Sequence, residues 1–201
     1  KTVRIATQRI IFCAGEGNQA LIEKAALKTP QSQVRPLNMV YVKRPKLPMV
    51  FMHCIGSNFS LTPSLTITSH QDKMGITTWY LGGELAESGV TKGPTDQIHA
   101  AKKLIFSLFP WIEFDTATWG CFLINRAEAN INNNYRPDDA CLIEEKNVLV
   151  AWPTKLTLTP VLADKTIEML HATSVKATHR EHCAELDSLF NRPSIANAPW
   201  S

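Results

Sequence analysis

Thr154-Lys155-Leu156-Thr157 stands between an apolar strand pattern at 147–151 and a helix start at Thr159-Pro160. Sites form at such junctions, because the first turn of a helix presents backbone N–H groups without intrahelical partners and the positive end of its dipole. Thr159 is the expected N-cap and Pro160 the expected first helical residue, with the helix running to about His171. Lys155 adds a full positive charge there, so the loop suits an anionic ligand. Arg126, near the end of a strand expected over 118–127, offers a guanidinium that grips phosphate or carboxylate with two parallel hydrogen bonds. The plainer reading of Arg126 is a surface arginine at a strand end. His53 and His70 lie at strand ends and carry the side chain suited to removing a hydroxyl or amine proton near neutral pH. Each is more often simply an ordinary hydrogen-bonded histidine.

Gly15-Glu16-Gly17-Asn18-Gln19-Ala20 follows a strand pattern and opens a helix, which satisfies the G-x-G-x-x-A dinucleotide fingerprint at face value. That fingerprint also wants an acidic residue about 20 positions on to hold a ribose, and 35–44 contains no carboxylate. A tight strand-to-helix turn explains both glycines as well. Trp79, Tyr80 and Trp119 sit on strand patterns and read as core or cross-strand partners before they read as a ligand pocket. His179, His182 and Cys183 have a spacing that faces one side of a helix, but no fourth ligand accompanies them, so no metal site is expected. Gly56-Ser57 and Ser69-His70 form neither a nucleophile elbow nor a triad, which removes hydrolase chemistry.

These residues need elements to position them. The chain has 201 residues and is 44% hydrophobic, enough for a real core, and its +3 net charge comes from interspersed rather than blocked residues. No basic block interleaves with aromatics, so nucleic acid is not an expected partner. No apolar run reaches the length of a membrane span, and the first residues do not read as a signal peptide. Five scattered cysteines without Cys-x-x-Cys argue against a disulfide framework and point to a cytoplasmic setting. Strands are expected at 3–6, 9–14, 35–43, 49–54, 65–69, 76–80, 118–127, 140–144 and 147–151. Helices are expected at 19–28, from Gly93-Pro94-Thr95 to about 109 with Ile98, Ala101, Ile105 and Leu108 inward, and at 160–171.

Residues 9–18, Arg-Ile-Ile-Phe-Cys-Ala-Gly-Glu-Gly-Asn, resemble a late strand of the flavin-binding domain in the D-amino-acid-oxidase-like superfamily of FAD-dependent oxidoreductases, where an apolar strand ends in Ala-Gly beside the FAD. Thr66-Ile67-Thr68-Ser69-His70, Thr77-Thr78-Trp79-Tyr80-Leu81-Gly82-Gly83, the helix after Pro94 and Thr118-Trp119-Gly120 leading to Arg126 look like the substrate-side sheet and helix of FAD-dependent glycerol-3-phosphate dehydrogenase. Thr154-Lys155-Leu156-Thr157, followed by a helix with Leu162-Ala163, is similar to that family's Gly-Gly-Lys-Leu-Thr-Thr loop. The likeness covers about residues 3 to 171. It departs where the family's two glycines are Pro153-Thr154, so this backbone is not expected to adopt glycine-only angles. The family's N-terminal G-x-G-x-x-G unit has no counterpart, and the chain reads as a fragment without the front of the flavin domain.

The expected fold class is α+β: a mixed, mainly antiparallel sheet with helices, plus incomplete flavin-binding elements. The expected domains are a partial flavin-binding segment (1–28), a substrate domain (29–146), a return to the flavin domain (147–172) and a tail (173–201). The resemblance implies FAD in the full-length protein, though not bound to this fragment alone. It implies cofactor contacts from Ala14, Gly15, Gly17, Thr154, Lys155, Leu156 and Thr157. Arg126 and Lys155 would hold a small anionic hydroxy or amino substrate, and His53 or His70 would take its proton as hydride leaves for the flavin. The expected partner is that small molecule, with homo-oligomer formation left open. The competing reading is a non-catalytic ligand-binding or interaction domain.

Overall fold

A computed structural model describes residues 4–56, 62–131, 137–173, 188–191 and 194–201. Its elements are β1 (Ile10–Phe12), α1 (Asn18–Lys24), β2 (Ser32–Lys43), β3 (Phe51–Cys54), β4 (Leu65–Gln71), β5 (Thr77–Gly82), α2 (Glu84–Glu87), α3 (Pro94–Leu108), β6 (Thr118–Ala129), β7 (Cys141–Glu145), β8 (Val148–Trp152) and α4 (Thr159–Ala172). They form the expected α+β fold, with a three-stranded sheet ordered β1-β8-β7 and a five-stranded sheet ordered β3-β4-β5-β2-β6. Contacts divide the chain into two compact units, unit 1 from Lys1–Arg35 with Arg126–Arg192 and unit 2 from Pro36–Asn125 with Pro193–Ser201. Among the described residues no helix is long and apolar enough to cross a membrane.

In unit 1, β8 is buried at all five positions because both of its faces are covered. Val148, Val150 and Trp152 cluster with Ile22 of α1, and Ala151 clusters with Leu162 of α4. This is how a strand covered on two faces reads as a continuous apolar run. β1 pairs with β8 in parallel and β7 pairs with it antiparallel. Helix α1 stops at Lys24 and does not reach 28 as expected. Ala26 turns left-handed at φ 48°, and the N–H groups of Lys28 and Thr29 bond the Glu145 carboxylate at 2.9 and 2.6 Å. A carboxylate thus takes the donors that helix carbonyls would need. The strand expected at 3–6 is absent over residues 4–6, where Ile5 is exposed.

In unit 2, alternation does the sorting. Val40, Val42, Leu65, Ile67, Trp79 and Leu81 point to one face and pack with Ala101 and Ile105 of α3 and with Phe109 and Phe114. The Trp79 indole also donates to the Pro48 carbonyl at 2.7 Å, so its one polar atom is satisfied in the core. Pro94 opens α3 as expected. Its buried stripe begins at Gln97, whose amide donates to the carbonyls of Asn38 and Leu85 at 2.8 and 3.0 Å, while Ile98 is only partly buried. The short helix α2 escaped the sequence because four residues carry no periodicity. It forms where Gly83 takes φ 79° and lets the Glu84 N–H reach the Pro63 carbonyl at 2.9 Å.

A Cβ on Gly83 would lie 2.5 Å from the Pro63 carbonyl oxygen, whereas Gly15, also left-handed at φ 58°, has nothing within 4 Å of that position. Gly15→Ala is expected to cost about 1–2 kcal/mol for the left-handed backbone alone. Gly83→Ala adds an overpacking penalty of about 1–3 kcal/mol. Urea unfolding midpoints check the order, and equal losses in the two variants contradict it.

Candidate functional site

Parallel pairing puts the C-terminal ends of β1 and β8 side by side, since Phe12 is in register with Val150. β1 leads into a 3-10 turn over Gly15–Gly17 and then α1; β8 leads through Pro153 and Thr154 into a 3-10 turn over Leu156–Leu158 and then α4. Two strand-to-helix junctions therefore meet at one sheet edge, the place where open α/β sheets bind ligands. Ala14, Gly15 and Gly17 lie on the first junction and Thr154, Lys155, Leu156 and Thr157 on the second. Asn18 ties them together: fully buried, it accepts the Ala14 N–H at 2.8 Å and donates to the Ala151 carbonyl at 3.1 Å.

Thr154 corrects an expectation. It does take a glycine-type conformation, at φ 61°, which is unfavourable for a β-branched residue. Its hydroxyl donates to the Asp139 carbonyl at 2.9 Å, and the Asp139 carboxylate is paired with Lys165 of α4 at 2.5 Å. Lys165 also bonds the Ala140 carbonyl at 3.0 Å. These contacts hold the strained loop to the helix that follows it. Lys155 is extended and exposed and makes no ion pair among the described residues; Leu156 is 87% exposed. Thr159 is not the N-cap. Its own backbone is helical at φ −58°, Leu158 stands at the cap, and the Thr159 hydroxyl donates to the Leu156 carbonyl at 2.8 Å.

Arg126 lies on β6, in unit 1 but outside the β1-β8-β7 sheet. Its Nε is 3.7 Å from Oε2 of Glu128, whose side chain is fully buried. Arg35 Nε reaches the other Glu128 oxygen at 2.7 Å and the Gln33 amide donates to it at 2.8 Å. A buried carboxylate needs such neighbours. No local sequence signal marks Glu128, which differs from a solvent-facing strand residue only in what surrounds it.

His53 and His70 belong to unit 2 and share one face of its sheet. Register pairs His53 with Thr66, Phe51 with Thr68, and Thr68 with Tyr80, while Thr78 opposes both His70 and Lys43. This is the face turned away from the Val40, Trp79 and Ile105 core. His53 is exposed; His70 is half-buried, with Nε2 3.1 Å from Thr68 Oγ1. Tyr80 joins this face, its ring stacked on Phe122 at 5.8 Å and 13°. Trp79 faces the core instead. Trp119 packs on Phe114 at 5.7 Å beneath the Lys102 ammonium. Tyr41 lies here too, over Gly120, where a Cβ would come within 2.4 Å of its ring. Trp200 also touches this face, which nothing in its local sequence announces. Ser69 is structural, exchanging two 2.7 Å hydrogen bonds with the Val50 backbone. Among the described residues no group of three His, Cys, Asp or Glu could hold a metal. His179, His182, Cys183 and Ser57 lie outside the described residues. Cys13, Cys54, Cys121 and Cys141 are free thiols.

No family model matches the chain. It is 37% identical over 197 residues to a protein of Pseudomonas aeruginosa called "Probable FAD-dependent oxidoreductase PA4991", covering 98% of this chain and 49% of that protein. The crystal structure of the FAD dependent oxidoreductase PA4991 from the same organism matches with a TM-score of 0.84 and 36% identity, covering 96% of this chain and 52% of that one. The chain thus spans about half the length of the curated relative it matches.

The Asp139 carboxyl is held below its ordinary value of 3.8 chiefly by the hydrogen bond from Lys165, then by the Ala140 N–H. A carboxyl depressed in the folded state contributes stability that is fully present above its unfolded value and is lost as pH falls through the folded one. Carboxyl NMR titration is expected to place Asp139 below 3.8 in the wild type and nearer 3.8 in Lys165→Met. A wild-type midpoint at or above 3.8 contradicts the loop architecture.

Proposed function

We propose that this chain is part of an FAD-dependent oxidoreductase that passes hydride from a small anionic hydroxy or amino substrate to the flavin. The observation that carries this reading is the likeness to an FAD-dependent oxidoreductase along 98% of the chain in sequence, joined by a TM-score of 0.84 in structure. The residues also suit a dinucleotide cofactor: two junctions converge at the C-terminal edge of a parallel strand pair, and the left-handed Gly15 leaves bare backbone with nothing within 4 Å of its missing Cβ. Bound FAD would supply the hydride acceptor.

The chain's own residues would do the rest. Ala14, Gly15, Gly17, Thr154, Lys155, Leu156 and Thr157 would contact the cofactor through backbone and short side chains. Lys155 would attract the anionic group of the substrate, since it makes no ion pair among the described residues. Arg126 would assist while sharing its charge with Glu128 at 3.7 Å. His70, oriented by Thr68 at 3.1 Å, would accept the hydroxyl or amine proton, and His53 on the same face is the alternative. The finer likeness to glycerol-3-phosphate dehydrogenase would make the anion a phosphate.

Stopped-flow reduction of the full-length flavoprotein by panels of hydroxy and amino acids and phosphorylated alcohols tests the reading; a protein without flavin absorbance, or one that no member of the panel bleaches, overturns it. Lys155→Ala with flavin retained is expected to lower kcat/KM by roughly ten- to a hundredfold, the value of one charge-assisted hydrogen bond. Arg126→Ala is expected to lower kcat/KM and also thermal stability, because it removes a neighbour of the buried Glu128. Wild-type kcat/KM in both variants removes the substrate role from both residues.

A further inference from the structure

Beside the proton-accepting role proposed for His70, the face of the unit 2 sheet that carries it has a further contact set. Residues 194–201 cross it and lay the Trp200 indole against three side chains grouped by the strand register. The ring centroids stand 5.0 Å from His70, 5.5 Å from Tyr80 and 6.4 Å from Tyr41. The same segment gives oxygen acceptors to two ammonium groups. Lys43 donates to the Trp200 carbonyl at 3.2 Å, and Lys73 donates to Asn197 Oδ1 at 3.3 Å. These contacts are of two kinds, ring against ring and oxygen against ammonium.

A cleft of about 420 Å³ adjoins them, lined by Lys43, Asp72, Lys73, Met74, Asn197 and Ser201. That volume suits a small molecule. Thr78, the cross-strand neighbour of both Lys43 and His70, keeps its hydroxyl buried without a hydrogen-bond partner among the described residues. Such a group costs stability until something bonds it.

We propose that this face is a binding site for a planar aromatic ring bearing a single carboxylate, and that Trp200 is its internal occupant. The ligand's ring takes the place of the indole on His70, Tyr80 and Tyr41. Its carboxylate takes the place of the Trp200 carbonyl and the Asn197 amide oxygen on Lys43 and Lys73. Asp72, paired with Lys43 at 2.6 Å, limits the charge accepted, because a second negative group beside it meets repulsion. The ligand binds only molecules from which Trp200 has left, so the observed affinity is the intrinsic affinity reduced by that fraction. The proposal rests on contacts within unit 2 and not on the flavin reading.

Calorimetric titration of the full chain with indole-3-acetate tests it. If the segment stands open in about a tenth of molecules, Trp200→Ala binds about tenfold tighter than the wild type. Lys43→Met in the Trp200→Ala background removes the preference for indole-3-acetate over uncharged indole. Trp200→Ala that binds no tighter than the wild type, or binds without regard to charge, overturns the proposal. A measurement on the unaltered chain stands beside these should the variant fold poorly. The nuclear Overhauser contact between the Trp200 and His70 rings is expected to disappear at saturating indole-3-acetate; its persistence, or the lack of saturable binding, overturns the proposal.

Discussion

Ile10, Ile11 and Phe12 meet Val148, Leu149 and Val150 in parallel, and that three-residue ladder decides where two loops come to lie. Antiparallel pairing would send the two junctions to opposite ends of the sheet. Parallel pairing sends both to one edge, where each chain turns into a helix. The buried Asn18 then fixes the spacing with one bond to each junction. Backbone geometry thus creates the candidate cofactor site before any charged side chain contributes. Lys155, exposed on the second junction, adds a positive charge at that edge.

In unit 2 the two faces of one sheet have different tasks because successive residues point opposite ways. Along β5, Trp79 and Leu81 serve the core while Thr78 and Tyr80 belong to the other face. A single-residue slip would exchange them, and the buried Trp79, hydrogen-bonded to Pro48, makes that slip costly. The face that presents His70 is therefore positioned by residues it never touches. Gly120 contributes by omission, since its bare backbone leaves room for the Tyr41 ring.

Local pattern made the regular elements legible. The strands at Leu65–Gln71, Thr77–Gly82 and Val148–Trp152 and the helix opened by Pro94 were readable because alternation, apolar runs and proline at a helix start act over a few residues. The end of α1 was not, because Glu145 that captures Lys28 and Thr29 lies far along the chain. Thr154 was misjudged for a related reason. Sequence gives its intrinsic dislike of positive φ, whereas the Asp139 carbonyl and Lys165 that hold it there are tertiary. Residues 14–17 and 154–157 could be marked as junctions one at a time. Their meeting at one edge depended on strand direction, which no single segment records. Glu128 and Trp200 were missed because burial of an acid and docking of a distant indole leave no local trace.

The division into units also orders events in time. Unit 2 takes most of its residues from one continuous stretch, Pro36–Asn125, whereas the sheet of unit 1 needs β1 and β8 from far apart in the chain. Contacts of long sequence separation form late, because closing a long loop costs entropy before any bond compensates it. During synthesis β1 cannot pair with β8 until the stretch between them has been made. β2 and β6 are neighbours in the five-stranded sheet, and Arg35 on one pairs with Glu128 on the other. Until β1 and β8 pair, their apolar strands leave the chain open to misassembly.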